Sequence, residues 1–458
     1  MLKLTIGEIG KALAYPVSGR LETVVTGVAT DSRQVQSGDL FVAIVGEKVD
    51  GHQYIQQALA NGAAAVVVSA PAVRETLGDT ACLLAEDGVT FIQKLGRLVR
   101  QRAQVPVVAV TGSSGKTTTK DLLRAMLADL GPVVATRGNN NNELGLPLTL
   151  CRIDETTRAV VVEMGMRGLG QIDFLCQLAQ PDYGLITNIG TVHSELLGSQ
   201  ANIAKAKAEL LAHIAPHGLA ALNENDRGFL ADYAEACKGQ VIWCSVQSGQ
   251  GDVWAEAIQE EAESTAFTVD GALGEHRLTS ALPGLHNVEN ALEALVIART
   301  LGVSWEAIEQ ALQDAELSAM RMEKLVSPQG ATIYNDAYNA NPDSMRAALA
   351  VLARQKGRRA AVLGDMYELG QYEADSHRQV GQTAMALGLE LLVAVGRLGR
   401  LIGQGAESAA QAGQMIYYAE DNAQAAAFLQ EWLRAGDQVL IKGSRGMQME
   451  EIVEIIMR

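Results

Sequence analysis

The run Thr111-Gly112-Ser113-Ser114-Gly115-Lys116-Thr117-Thr118 joins a β-branched stretch, VPVVAV (105–110), to the helical pattern KDLLRAMLADL. Glycines allow the backbone to bend close to a polyphosphate, successive N–H groups then point inward, and the following helix adds its positive end. Lys116 is placed to bridge the outer phosphates and the Thr117 hydroxyl to hold Mg²⁺. The general phosphate-loop pattern asks for glycine at 110, where this chain has Val110, so the loop is a variant type. Strand, loop and helix nevertheless follow in the required order, and a nucleotide is the expected ligand. A switch-type GTPase would also need D-x-x-G and N-K-x-D elements, and neither occurs in the chain.

Other chemistry-bearing residues fall near the ends of predicted strands. Glu163 closes AVVVEMG (159–165), at the carboxyl edge where open α/β sheets place their ligands. A carboxylate there takes Mg²⁺ directly or through water, or it simply faces solvent. His193, in TNIGTVHSELLGS, follows another strand end and is either a ligand or an ordinary loop histidine. Lys205 and Lys207 sit in SQANIAKAKAELLAHIA (199–215); residues two apart are about 200° apart around a helix, so the two cannot share a face. Lys207 shares the stripe of Ile203, Leu210 and Ile214, whereas Lys205 points away. An inward lysine must find a partner, snorkel, or lose its proton, and a neutral amine can capture CO₂ as a carbamate. Chemistry alone favours snorkelling.

These side chains need parallel strands to carry them. VPVVAV, AVVVEMG, YGLITNIG (183–190) and VIWCS (241–245) form one series with helix-length spacers, and 252–283 alternates polar and apolar residues as an antiparallel appendage does. A further series runs through ATIYNDAY (331–338), RAAVLGDM (359–366), LLVAVG (391–396) and DQVLIKGSR (437–445). With 458 residues and about 150 per domain, three α/β domains are expected: 1–84, 85–314 and 315–458. The 37 Lys+Arg against 53 Asp+Glu leave a formal charge of −16, which argues against broad binding to nucleic acid or anionic membrane. Five scattered cysteines without a C-x-x-C pair read as buried apolar side chains in a reducing compartment. No stretch reaches the length of a membrane span, so no membrane insertion and a cytoplasmic location are expected.

Taken together, the motifs resemble the Mur ligase family of bacterial cell-wall synthesis over residues 28–452 or so. They are TDSRQVQSGDLFVAIVGEKVDGH (30–52), TGSSGKTTTK, RGNNNNELGLP (137–147), VVEMG, TVHSELLGS, IAKAKAEL, GLHNVENALEA (284–294), NDAYNANPDSM (335–345), LGDMYELG (363–370) and IKGSRGMQME (441–450). Within the family, the asparagine run, D-x-Y-N-A-N-P, L-G-x-M-x-E-L-G and K-G-S-R look like the branch that joins D-alanyl-D-alanine to UDP-N-acetylmuramoyl-tripeptide. The D-N-P-R signature of the diaminopimelate-adding branch is absent.

The resemblance implies a three-domain enzyme: a small N-terminal α/β domain for the UDP-muramoyl peptide, a central P-loop-type parallel-sheet domain for ATP, and a C-terminal Rossmann-like domain. It implies an ATP-dependent ligase working through an acyl phosphate, acting as a monomer. ATP would be held by Gly112, Ser113, Ser114, Gly115, Lys116, Thr117 and Thr118, with Asn287 at adenine, Asp336 at the ribose or nucleotide, and Arg321 at phosphate. Catalysis falls to Lys116, Glu163, His193 and Lys207. Two Mg²⁺ ions are implied, one on Thr117 and Glu163 and one on His193, with Lys207 as the carbamylated lysine. Asp31, Ser32, Arg33 and Gly46 match uridine-nucleotide positions, and Asn139, Asn141 and Asn142 offer donors and acceptors to sugar or peptide groups. The family usually has Gly-Arg where this chain has Met320-Arg321, and a serine is common where Gly446 stands. The alternatives are another Mur-type or folylpolyglutamate synthetase-like ligase, separated by amine selectivity, and a nucleotide-binding regulatory protein without the chemistry.

Overall fold

Val107–Thr111 is buried at every residue, so it shows no in-out alternation and belongs inside a sheet covered on both faces. The computed structural model, which describes residues 1–192 and 194–458, places it there. The central sheet has nine strands in the order His276–Ser280, Thr265–Gly271, Val253–Glu260, Gln240–Ser245, Leu219–Asn223, Tyr183–Ile186, Val107–Thr111, Ala159–Glu163 and Val133–Ala135. Neighbours are parallel from Val133–Ala135 through Val253–Glu260, and the last two pairings are antiparallel. The antiparallel segment read at 252–283 thus continues the main sheet, joined to it through Cys244 opposite Val253 and Ser245 opposite Trp254.

The two faces of the sheet bury different helices. Val107, Ala109, Val160 and Val162 face a cluster with Phe91, Ile92 and Leu95 of helix Gly88–Arg102, and that cluster runs on into Leu40, Val42, Val67 and Leu83 of the N-terminal sheet. Val108, Val110 and Val161 face Leu122, Leu123 and Met126 of helix Lys116–Leu127 and Val288, Leu292 and Leu295 of helix Leu285–Thr300. The second helix is therefore pressed between a sheet and another helix. Even its Asn287, Asn290 and Glu293 are buried.

The N-terminal sheet orders Val17–Ser18, Cys82–Leu84, Ala65–Val68, Asp39–Val42 and Gly27–Ala29. The C-terminal sheet orders Glu323–Val326, Thr332–Asn335, Gln438–Lys442, Arg359–Leu363, Leu391–Val395 and Met415–Ala419, parallel except for the first hairpin and packed by helices on both faces. No helix among the described residues is long and apolar enough to cross a membrane.

Candidate active site

Register brings three strand ends to one edge. Glu163 lies opposite Val110 and Ile186 opposite Thr111, so the segments that follow them emerge beside the phosphate loop. Gly112 and Gly115 have φ of 152° and 76°, and a side chain at Gly115 would run into Asn290, one at Gly112 into Thr187. Only glycine meets both demands. The loop is pinned from the neighbouring strand end: Asn188 Oδ1 accepts the Ser113 and Ser114 N–H groups at 3.1 and 2.9 Å, and its amide donates to Ser114 Oγ at 2.6 Å. Thr187 Oγ1 donates to the Ser114 carbonyl at 2.5 Å. Lys116 Nζ folds back to donate to the Gly112 carbonyl at 2.8 Å, and burial, opposed by the nearby Glu163 charge, holds its ammonium pKa below the ordinary value.

Thr117 is the meeting point of two sheets. Its hydroxyl donates to Glu163 Oε2 at 2.8 Å and accepts from Arg321 Nη2 at 2.7 Å. The other carboxylate oxygen of Glu163 accepts from Asn141 Nδ2 at 2.8 Å. A hydroxyl and a carboxylate at this distance form the hard-oxygen pair that suits Mg²⁺. Among the described residues no group of three or more His, Cys, Asp or Glu could hold a metal ion, so an ion on Thr117 and Glu163 would fill its shell with water and substrate oxygens. The ring of Tyr338 lies 4.3 Å from the Arg321 guanidinium and fixes its plane. Met320 and Met322, on either side of Arg321, have φ of 59° and 51°. That left-handed backbone favours glycine, the residue the family resemblance leads one to expect at 320, so Met320 adopts it at a steric cost.

A cavity of about 1220 Å³ opens on this side of the loop, and Lys116, Thr117, Glu163, Lys207 and Arg321 all line it. Lys207 is 2% exposed, has no hydrogen bond or ion pair among the described residues, and burial with Lys116 nearby drives its pKa well below the ordinary lysine value. Lys205 is exposed, the split that helical spacing predicts. Asn139, Asn141 and Asn142 line the same cavity. Asn142 also serves its own turn, its Oδ1 accepting the Gly145 N–H at 2.8 Å.

A second cavity, about 770 Å³, lies on the opposite side of the loop and is lined by Ser114, Gly115, Thr118, Asn287, Arg321 and Asp336 among others. Asn287 is not a helix cap: the N-cap is Gly284, and the Asn287 amide donates back to the Pro283 carbonyl at 2.8 Å. Asp336 is held by Lys442 Nζ at 2.5 Å and accepts the Met322 N–H at 3.2 Å. Burial pushes the carboxyl of Asp226 up to about 6 and that of Glu289 up to about 7 on this wall, and pushes His286 down to about 4.

The N-terminal candidates line neither cavity. Arg33 is largely exposed and forms a two-point pair with Asp31, whose carboxyl is brought down to about 2 by the Arg33 hydrogen bonds. Ser32 is buried against Gln57, and the Gly46 N–H donates to the Val49 carbonyl. His193 lies outside the described residues. Sequence reasoning did not single out Asn188, Tyr338 or Lys442 as site residues. A signal was available for Asn188, which follows a strand end by two residues on the edge that the loop occupies.

Three family descriptions match the chain: "Mur ligase family, catalytic domain" at 24–98, "Mur ligase middle domain" at 110–298 and "Mur ligase, glutamate ligase domain" at 320–445. The UDP-N-acetylmuramoyl-tripeptide–D-alanyl-D-alanine ligase of Bacillus subtilis is 36% identical, covering 99% of this chain and 98% of its own. The Synechocystis enzyme of the same name is 38% identical over 94% and 91%. A crystal structure of MurF from Acinetobacter baumannii superposes with a TM-score of 0.87 at 33% identity, with 99% of each chain covered. The MurF ligase of Thermotoga maritima in complex with ADP gives 0.80 at 27% identity, over 94% of this chain and 97% of that one. A folylpolyglutamate synthase from Mycobacterium tuberculosis shares the fold alone, at 17% identity.

Proposed function

Because the chain belongs to the Mur ligase family, we propose that it is the ATP-dependent ligase joining D-alanyl-D-alanine to UDP-N-acetylmuramoyl-tripeptide, completing the pentapeptide precursor of peptidoglycan. One observation carries the reading at the level of geometry. The Thr117 hydroxyl stands between Glu163 of the central sheet and Arg321 of the C-terminal part, at the head of a phosphate loop and in the cavity that Lys207 lines.

A carboxylate is unreactive toward amines, so the tripeptide carboxylate first takes the γ-phosphoryl group of ATP. The amine of D-alanyl-D-alanine then attacks the acyl phosphate, the amide bond forms, and phosphate leaves. The loop N–H groups and Lys116 stabilise the charge on the transferring phosphoryl group, and Arg321 adds a second cation from the opposite side. For this, Lys116 exchanges the Gly112 carbonyl for phosphate oxygen. Asn287 serves adenine, Asp336 the ribose, and Asn139, Asn141 and Asn142 the muramoyl peptide. Thr117 and Glu163 would hold Mg²⁺, whose chemistry is to neutralise phosphate charge. Lys207, buried and with its charged form disfavoured, is suited to carbamylation, and the resulting anion together with His193 would serve a second ion.

Residues 1–84 form the uridine-nucleotide domain, where Arg33, oriented by Asp31, meets the diphosphate beside Ser32 and Gly46. Residues 85–314 bind ATP, and 315–458 complete the site. The reaction belongs in the cytoplasm, where ATP is supplied. The test is phosphate release from ATP with UDP-muramoyl tripeptide, with and without D-alanyl-D-alanine. Release should need both. Release with the tripeptide alone, or acceleration by any free amino acid to the same degree, would overturn the assignment.

A further inference from the structure

The helix that begins at Lys116 carries a second polar anchor besides Thr117. Asp121 lies four residues on, one turn along the same face. Its Oδ2 accepts both the N–H and the hydroxyl of Ser318, at 2.9 and 2.8 Å, and its Oδ1 pairs with Lys120 Nζ at 2.9 Å. Lys120 in turn donates to the Thr136 carbonyl at 3.1 Å. Both charged side chains are buried, Asp121 at 6% and Lys120 at 3% exposure. Ser318 belongs to the segment between helix Trp305–Gln313 and strand Glu323–Val326, the passage from the central sheet to the C-terminal one.

Three residues after Ser318 comes Arg321, which reaches back to Thr117. The crossing segment is therefore held at two points one helical turn apart on a single helix. Between and just beyond these points the backbone twists through left-handed Met320 and Met322, a path that an unanchored chain would relax. A buried ion pair adds little net stability compared with apolar packing, because desolvation consumes most of the attraction. Its use here is geometric.

We propose that Asp121 is a positioning residue for Arg321: by clamping Ser318 it sets where the crossing segment leaves the helix, and so delivers the guanidinium to Thr117. This rests on the reading of Arg321 as a group that acts on the transferring phosphoryl. Asp121 touches no substrate, and its contribution passes entirely through Arg321.

The experiment is a double-mutant cycle on the full chain, with Asp121→Asn, Arg321→Ala and both together, read as kcat and KM in the phosphate-release assay. Asp121→Asn should lower kcat about tenfold and leave KM for the UDP-muramoyl tripeptide within about twofold. In the Arg321→Ala background the same change should cost less than about twofold, because the group it positions is gone. Ser318→Ala, which keeps the backbone N–H, should show a smaller kcat loss that also vanishes without Arg321, and it serves where Asp121→Asn folds poorly in a thermal melt. Equal fold-losses in both backgrounds, with Arg321→Ala itself impaired, would overturn the clamp while sparing the role of Arg321. Full activity of Arg321→Ala would overturn that role and the clamp together.

Discussion

At the scale of single residues, burial decides protonation, and protonation decides chemistry. Lys207 has no anion beside it among the described residues, and burial with Lys116 nearby drives its pKa well below the ordinary lysine value, which favours the neutral amine that the proposed carbamate requires. Lys207→Ala should remove most turnover, with partial rescue by small carboxylates, whereas Lys205→Ala should leave the rate within about twofold; equal effects in the steady-state rate would refute this. On the other side of the loop, Glu289 is raised to about 7 and Asp226 to about 6, and Glu293 lies deeper still with both oxygens lacking a hydrogen-bond partner in the structure. Between about pH 4.5 and 7 the native chain keeps protons that the unfolded chain has released, so these carboxyls make the unfolding free energy fall as pH rises. His286, held down to about 4, acts in the opposite sense between about pH 4 and 6.5. Glu289→Gln removes one titration of the first kind. Its stability relative to the parent should rise from no difference near pH 4 to about 3 kcal/mol at pH 8, measured by denaturant unfolding.

At the scale of elements, the phosphate loop was legible because its signal is local: glycine spacing after a buried strand and before a helix. The choice of Lys207 over Lys205 was legible for the same reason, since 3.6-residue periodicity separates them. Asn188 was legible only as a residue just past a strand end on the edge that the loop occupies. Nothing in TNIG distinguishes a strand-end asparagine that faces solvent from one that saturates two loop N–H groups, until the register of strands Tyr183–Ile186 and Val107–Thr111 is known. With three side-chain bonds to the loop, Asn188→Ala should loosen it and weaken ADP binding about tenfold, or by about 1.4 kcal/mol, in calorimetry. Unchanged affinity would mean that the glycine turn holds its shape unaided.

At the scale of the whole molecule, the site exists only where the central and C-terminal sheets meet. Besides the Arg321 contact, Lys324 pairs with Glu263, Arg354 with Glu260, and Ser194 Oγ donates to the Leu369 carbonyl, so the two parts are in register around both cavities. The Asp31–Arg33 pair lies outside that interface. A covalent crosslink holding the C-terminal part away from the loop should therefore abolish turnover and leave uridine-nucleotide binding intact, checked by phosphate release and by titration with UDP-muramoyl tripeptide. Normal turnover in the open crosslinked protein would exclude closure as a catalytic requirement.

α/β character with mostly parallel sheets, a glycine turn between a buried strand and a helix, an inward lysine and the family motifs all followed from the sequence, because each is written in short-range spacing that backbone sterics and helix or strand period translate directly. The global charge of −16 argues only against broad binding to nucleic acid or anionic membrane, and leaves room for a small anionic ligand beside the local cations Lys116, Arg321 and Lys442 that line the cavity. Which side chains meet was decided by tertiary structure alone. Thr117 and Arg321 are 204 residues apart, Asp121 and Ser318 197, and Asp336 and Lys442 106. Such pairs depend on how sheet edges and buried helices pack against one another, and that packing is a property of the whole folded chain, with no pattern in any one segment to reveal it.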